Sequence, residues 1–388
     1  MSHRRIMSRI CLQRVNIGGF RSFHYTSPRL STFVSSTTPY SDKYYKPIIT
    51  EGAAGFDKLV IPKDFCADNQ SLTTETQEQL VEIVNTFDAE ISAAVGYGSG
   101  ILPQNGYDKP DKEKQLDFIF LVDETTKFHQ QNTKQNPSHY STKSQTLINF
   151  FQGSGIYFNP YILIKDKLTK YGVTSKKSAF MDLSEWSSLY FAGRMQKPVN
   201  YIKEDDMLKF LNQYNLKNAM TIAIFLIQSN QFTERQLYEQ ITSISYLGDF
   251  RMYIGGENPN KVRNIVSKQF QYFKKLYDPI LQYFIRRNYL IITDNDATNR
   301  TFKTNLTTNT RINLISSLPL KFRTQLYSKY PESSVKEIAR DEKLPENIKS
   351  LITSTIIYSS IIQGFKGLFT AGLLKSMKYS LAKKRKSV

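Results

Sequence analysis

Residues Leu116–Val122 read LDFIFLV, apolar at every position except Asp117. A run this short and this continuous marks a strand buried in a sheet, since a half-exposed strand alternates and a helix needs more length. The neighbouring residues supply the rest of such a module. Glu75 to Phe87 carries Leu80, Ile83, Val84 and Phe87 at the spacing of an amphipathic helix. Ile91–Tyr97 reads as a short buried strand ending in the glycine-rich turn Gly96-Tyr97-Gly98-Ser99-Gly100. A polar, proline-containing loop from Pro103 to Gln115 follows. Beyond the LDFIFLV strand, Tyr140–Phe151 reads as a helix. Ile156–Ile164 and Leu168–Val173 read as two strands joined by a turn at Lys165-Asp166-Lys167.

From Asp205 onward the pattern turns helical. Met207–Ile227, Thr233–Leu247 and Lys261–Arg287 all show helical periodicity, followed by short strand-like pieces at Tyr289–Thr293 and Thr301–Leu306. Several helices followed by a small hairpin are compatible with a winged-helix-like second domain. After Pro345 a long helical tail runs to a basic terminus.

The 388 residues allow two or three domains, and a 40% hydrophobic, 13% aromatic composition excludes a disordered chain. Two cysteines, Cys11 and Cys66, exclude a disulfide scaffold, and four histidines make a histidine-based metal cluster unexpected. The formal net charge is +18, but its distribution decides what it means. Residues 1–41 hold six arginines and no acid, and residues 364–388 hold seven basic residues and no acid. These ends account for 13 of the 18 charges, so the body is only mildly basic and no nucleic-acid partner is expected. An Arg-rich, Ser-rich, acid-free start without an apolar h-region has the composition of a mitochondrial transit peptide. The expected mature protein lies in the matrix. No apolar stretch reaches the roughly 20 residues of a spanning helix, so membrane contact is expected to be peripheral.

The glycine cluster fails the dinucleotide fingerprint, because Ile101 stands where GxGxxG needs glycine, and no P-loop exists. What remains is a strand, then Gly98-Ser99, then a strand bearing one carboxylate. Glycines let backbone approach a ligand, and exposed N–H groups with the Ser99 hydroxyl make an anion cradle. A carboxylate on the next strand can hold Mg²⁺ against the same phosphates. Taken alone, the pattern fits a tight turn and a solvent-facing Asp equally well.

VGYGSG (Val95–Gly100), LDFIFLVD (Leu116–Asp123), NPSHYS (Asn136–Ser141), KYGV (Lys170–Val173), LYFAGRMQKPV (Leu189–Val199) and LGDFRM (Leu247–Met252) together resemble the mitochondrial phosphatidate cytidylyltransferase family, also called the translocator assembly and maintenance family. The resemblance implies an α+β fold with an α/β nucleotidyltransferase domain on a polymerase-β-like mixed sheet at 60–204. It further implies a helical winged-helix-like domain at 205–345 and a C-terminal basic membrane-binding helix at 346–388, after a presequence at 1–35. The implied reaction joins CTP and phosphatidic acid into CDP-diacylglycerol and pyrophosphate for cardiolipin synthesis.

By the same resemblance Gly98, Ser99 and Gly100 hold the CTP phosphates, Ser99 and Asp117 are catalytic, and Asp117 is the first Mg²⁺ carboxylate. The superfamily's second acid would fall at Ile119, a departure from the pattern. Asp123 lies about 20 Å further along an extended strand, which leaves Asp166 as the preferred partner carboxylate and Asp123 as the alternative. Arg194, Lys197 and Arg251 are expected to complete the phosphate clamp. His139 and Tyr140 are expected to bind phosphate or stack on the base, or else to be structural. Trp186 is expected in the core.

In the tail, Ile361, Phe365, Leu368, Phe369 and Gly372 fall on one helical face, and Lys383-Lys384-Arg385-Lys386 closes the chain. A basic, acid-free helix with bulky apolar residues suits the surface of an anionic bilayer. The expected location is therefore the matrix side of the mitochondrial inner membrane, as a peripheral protein; a homo-oligomer is compatible with the sequence. Two other readings compete, a non-enzymatic maintenance factor of the inner-membrane protein translocase and a nucleotidyltransferase acting on RNA.

Overall fold

The computed structural model describes residues 56, 59–63, 65–72, 76–102, 114–153, 155–249 and 258–371, all within one compact unit. Residues 1–35, read above as a presequence, Arg251 and residues 372–388 lie outside the described residues. Helix α1 (Gln77–Val84) buries Leu80, Ile83 and Val84, the face its spacing predicts. Strand β1 (Ala93–Tyr97) and strand β2 (Leu116–Val122) follow. Next come α2 (Thr125–Gln135), a 3₁₀ turn at Pro137–His139, and α3 (Gln145–Gln152). Strands β3 (Tyr157–Ile164) and β4 (Lys167–Ser175) form a hairpin. Helices α4 (Lys176–Glu185) and α5 (Ala192–Met195) lead to β5 (Asn200–Lys203).

These strands make one mixed sheet in the order β3-β4-β2-β1-β5. Only the β2–β4 pair is parallel, and α2, α3 and β3 supply the connection that a parallel pair requires. Strand β2 sits at the centre, which accounts for its apolar run. Phe118 and Phe120 pack toward α1 and α2, while Ile119 and Leu121 join the core built on α4 and α6.

Two sequence expectations are corrected here. The helix read over Tyr140–Phe151 begins only at Gln145, because Ser144 Oγ accepts from Leu147 N and caps it there. Helix α2 was not anticipated, since TTKFHQQNTKQ buries Phe128, His129 and Asn132 and therefore shows no apolar period.

The remainder is largely helical: α6 (Asp206–Leu226), a short β6 (Gln231–Thr233), α7 (Glu234–Ile244) and α8 (Lys261–Arg286). Strands β7 (Leu290–Asp294) and β8 (Thr301–Thr304) match the expected hairpin, and β6 adds a third strand in the order β6-β8-β7. Helices α9 (Thr308–Ser316), α10 (Leu320–Tyr327), α11 (Val335–Arg340) and α12 (Leu344–Ala371) close the described chain. One apolar cluster runs from Ala93, Val95, Ile119 and Leu121 on the sheet through α6 to Ile348, Ile352 and Ile356 of α12. Trp186 belongs to it, with its indole N–H donating to Asn215 Oδ1 at 2.8 Å. Further along α12, the Gln363 amide meets both backbone groups of Ile156, the residue just before β3. Among the described residues no helix is long and apolar enough to cross a membrane.

Candidate active site

The antiparallel register pairs Tyr97, the last residue of β1, with Asp117 near the start of β2. The chain turns immediately after Tyr97, so the Gly98-Ser99 corner opens beside that carboxylate. Gly98 has φ +83°, a conformation that side chains resist, and a Cβ on it would stand 3.1 Å from Asp117 Oδ2. Glycine thus keeps the flank of the carboxylate open. The Gly98 carbonyl accepts from Ile101 N at 3.2 Å and Leu102 N at 2.8 Å, which closes the turn around half-buried Ser99. Gly100 has a different reason: a Cβ there would lie 2.1 Å from the Gln115 carbonyl oxygen, so its glycine lets two backbone segments cross.

Asp117 Oδ1 accepts from Gln115 Nε2 at 3.1 Å and has the Lys170 ammonium at 3.7 Å. Lys170 is the register partner of Asp117 across the parallel pair, so both side chains rise from one face of the sheet. Its ammonium also stands 4.5 Å from the centre of the Phe158 ring. Arg194 comes down on the same corner. Its guanidinium lies over Tyr190 at 4.1 Å, Tyr97 at 5.3 Å and Phe158 at 5.9 Å, and it donates to the Tyr190 carbonyl and hydroxyl. Burial raises the Tyr97 phenol above its ordinary pKa, and the Lys170 and Arg194 charges hold that rise back. The corner therefore gathers a glycine-serine turn, one carboxylate and two cations, walled by aromatic rings.

Arg194 owes its place to a residue that sequence reading missed. Asp182, buried on α4, accepts from Ser187 Oγ, Ser188 N, Ser188 Oγ and Leu189 N through Oδ1. Its Oδ2 accepts from Phe191 N and Ala192 N, both at 2.9 Å. Six donors on one carboxylate fix the 187–192 loop, including Leu189 at φ +55°, and so set the start of α5. Lys197 follows one turn after Arg194 and donates to the Gly193 carbonyl and to Ser245 Oγ of the segment after α7. Burial, reinforced by the Arg194 and Lys261 charges, pushes its ammonium down to about 7.

The other expected site residues lie elsewhere. His139 and Tyr140 are on the opposite face of the sheet from Asp117. His139 Nδ1 pairs with the Tyr171 hydroxyl at 2.8 Å, and the Tyr140 hydroxyl meets His129 Nδ1 and Asn132 Nδ2. Tyr171 stacks on Phe120, so this network belongs to the α1–α2 side and cannot reach the carboxylate. Asp123 lies past the far end of β2, exposed, with its Oδ1 accepting from Ser92 Oγ at 3.1 Å. Asp166 occupies the exposed β3–β4 turn at φ +58°, four residues before Lys170 and so roughly 13 Å from Asp117 along the strand. Neither acid can share an ion with Asp117 in this arrangement. Among the described residues no three His, Cys, Asp or Glu side chains stand close enough to hold a metal. The open flank beside Asp117 Oδ2 suits a different case, in which one carboxylate and substrate phosphates together hold Mg²⁺.

Lys170 was legible only as part of the KYGV block, because nothing local tells a strand lysine which neighbour it will face. Asp182 left no signal in the sequence beyond being an acid on a helix.

The chain is similar to known proteins over most of its length. A family model described as "Phosphatidate cytidylyltransferase, mitochondrial" matches residues 80–386. The Schizosaccharomyces pombe protein of that name is 38% identical over 345 residues, covering 83% of this chain and 87% of its own. The Saccharomyces cerevisiae protein is 37% identical, with 82% and 74% covered. The Rattus norvegicus protein is 36% identical, with 79% and 94% covered. Matches of this extent, in order through the sheet, α5 and the helices beyond it, assign the chain to the mitochondrial phosphatidate cytidylyltransferase family.

Proposed function

We propose that the chain makes CDP-diacylglycerol from CTP and phosphatidic acid at the matrix face of the mitochondrial inner membrane, as a peripheral enzyme that feeds cardiolipin synthesis. The observation that carries this reading is the Gly98-Ser99 turn standing directly against Asp117, with Lys170 and Arg194 on the same sheet face. The names of the relatives support it. The proposed division of the chain is a presequence at 1–35, a nucleotidyltransferase part at 60–204, a helical part at 205–345 and a membrane-binding segment at 346–388.

A phosphate oxygen of phosphatidic acid attacks the α-phosphorus of CTP, the bond from that phosphorus to the bridging oxygen of the β-phosphate breaks, and pyrophosphate leaves. The nucleophile is ionised at matrix pH, so positioning and charge neutralisation carry the catalysis rather than a strong base. Turn N–H groups and the Ser99 hydroxyl receive the triphosphate. Arg194 and Lys170 face the charge that moves onto the leaving group, and Lys197 extends the basic wall. Asp117 would hold Mg²⁺ together with phosphate oxygens, which supplies further neutralisation of the departing pyrophosphate.

The test is transfer of label from CTP to phosphatidic acid vesicles in the presence of Mg²⁺. The wild type should form labelled CDP-diacylglycerol, and Asp117→Asn should lose it with an unchanged circular dichroism spectrum. No lipid product from the folded wild type would sink the reading and favour a non-enzymatic role, whereas label in added RNA would move it to RNA.

A further inference from the structure

Helix α3 turns Ile148 inward and leaves Leu147 and Phe150 in solvent, with Phe150 76% exposed. Helix α12 does the same over its last described turns. Ile356, Ser359 and Ser360 are buried, while Tyr358 is 71% and Phe365 66% exposed, with Ile361 between them on the same stripe. Single exposed apolar residues are ordinary, but here two helices far apart in sequence each present a pair or more. They also touch, since Lys366 Nζ donates to the carbonyl of Gln152, the last residue of α3, at 2.8 Å.

Along the sequence, the charge in the two stretches that carry these helices has one sign. Residues 125–165 contain no Asp or Glu, and residues 347–388 contain none. With 34 acids in 388 residues, each stretch would hold several by composition alone. Lys127, Lys134 and Lys143 stand exposed on or beside α2 and α3. Eight basic residues lie between 347 and the C-terminus. Bulky apolar side chains on acid-free, lysine-bearing stretches are complementary to an anionic lipid surface.

We propose that α3 and α12 form one platform that seats on an anionic bilayer, with Leu147 and Phe150 entering the headgroup–acyl boundary beside Tyr358, Ile361 and Phe365. This rests on the membrane-binding reading of residues 346–388 and adds to it a second contact from the sheet module. The platform adjoins the active-site corner. Lys366 feels the Tyr190 phenol, and Tyr190 lies against Arg194 and Phe158. Tyr190 thus links the platform to the Arg194 side of the corner.

The experiment is flotation of the full chain with vesicles of phosphatidylcholine alone and of phosphatidylcholine with 30% phosphatidylglycerol (about that fraction gives a strongly anionic surface), an anionic lipid that is not the substrate. The wild type should float only with the anionic vesicles. Leu147→Ser/Phe150→Ser should lose at least about tenfold in partitioning at an unchanged melting temperature. In a separate variant, Phe150→Trp should shift its emission to the blue on the anionic vesicles; the native Trp186 is buried and contributes a constant background. Should the double variant float as the wild type does while Lys383→Gln/Lys384→Gln/Arg385→Gln/Lys386→Gln does not, the tail binds alone and the platform is refuted with the tail reading intact. A wild type that never floats refutes both. Unchanged flotation together with a smaller mass for the double variant in sedimentation would refute the platform and assign the face to a second copy of the chain.

Discussion

The Lys170 ammonium stands 3.7 Å from Asp117 Oδ1, on directly paired residues of the parallel strands β2 and β4. Both side chains are about four-fifths shielded, so the pair is less screened than a surface ion pair. Lys170→Gln removes a positive charge from the site and leaves the carboxylate without it. Loss of a charge-assisted contact costs about 1.5–3 kcal/mol, which corresponds to a drop in kcat/KM of roughly tenfold to a hundredfold. Steady-state kinetics on phosphatidic acid should show that drop, with Lys170→Arg recovering part of it; full activity in Lys170→Gln would remove the lysine from the mechanism.

Asp182 acts at a distance. Asp182→Asn replaces one acceptor oxygen with a donor that faces backbone N–H groups, so at least two loop donors lose their partner. Each buried donor left unpaired costs about 1–3 kcal/mol, so urea unfolding should show a loss of that order or more. Activity should fall beyond what stability explains, because Arg194 shifts with the loop. A variant as active as the wild type while folded would show that the loop needs no clamp.

Gly98→Ala and Gly100→Ala should separate stability from function. Alanine at Gly98 pays roughly 1–2 kcal/mol for a positive φ and places a methyl against Asp117 Oδ2, so activity should collapse while the protein still folds. At Gly100 the new Cβ meets a carbonyl oxygen at 2.1 Å, a clash with backbone that forces a shift of the main chain. That variant should be the less stable of the two in thermal melts. The reverse order would contradict the assigned roles.

Two lysines, Lys217 buried and Lys197 half-buried, give the protein a pH signature. Burial pushes Lys217 down to about 7, helped by Arg323, and Lys197 lies at about 7 as well. Lys217 donates to the Ser317 carbonyl and hydroxyl and to Asn218 Oδ1. Below pH 7 both lysines are protonated in the folded and unfolded states, and the cost of burying the charge is fully present. Between about 7 and 10.4 the unfolded chain holds protons that the folded chain lacks, so stability rises with pH. The rise is limited to about 1.4 kcal/mol per pH unit for each lysine. Urea midpoints at pH 7, 8 and 9 should increase, and Lys217→Met should flatten the slope; an equal slope in the variant would mean that Lys217 does not titrate there.

How much could be read in advance depended on whether a residue's neighbour was local. Asp117 stood out because it interrupts an apolar run, and Gly98-Ser99 because a turn must follow a strand that ends in glycines. Lys170 and Phe158 reach the same corner through strand order, which leaves no periodic trace, while Arg194, expected from the resemblance, is set there by a loop that Asp182 holds. His139 and Tyr140 are the opposite case. They are polar and close in sequence to the site blocks, yet α2 draws their rings to the other side of the sheet into hydrogen bonds with Tyr171, His129 and Asn132. Helix α2 itself was hidden for a related reason, since its inward face joins a single apolar residue, Phe128, to the hydrogen-bonded His129 and Asn132.

Strand β3 ends the five-stranded sheet, and Gln363 covers the backbone just before it, its amide nitrogen donating to the Ile156 carbonyl at 3.1 Å and its oxygen accepting from the Ile156 N–H at 3.3 Å. An unpaired sheet edge invites pairing with another chain. A chain cut short before residue 363 would leave the Ile156 backbone groups open at that edge, and it should self-associate more readily than the full chain.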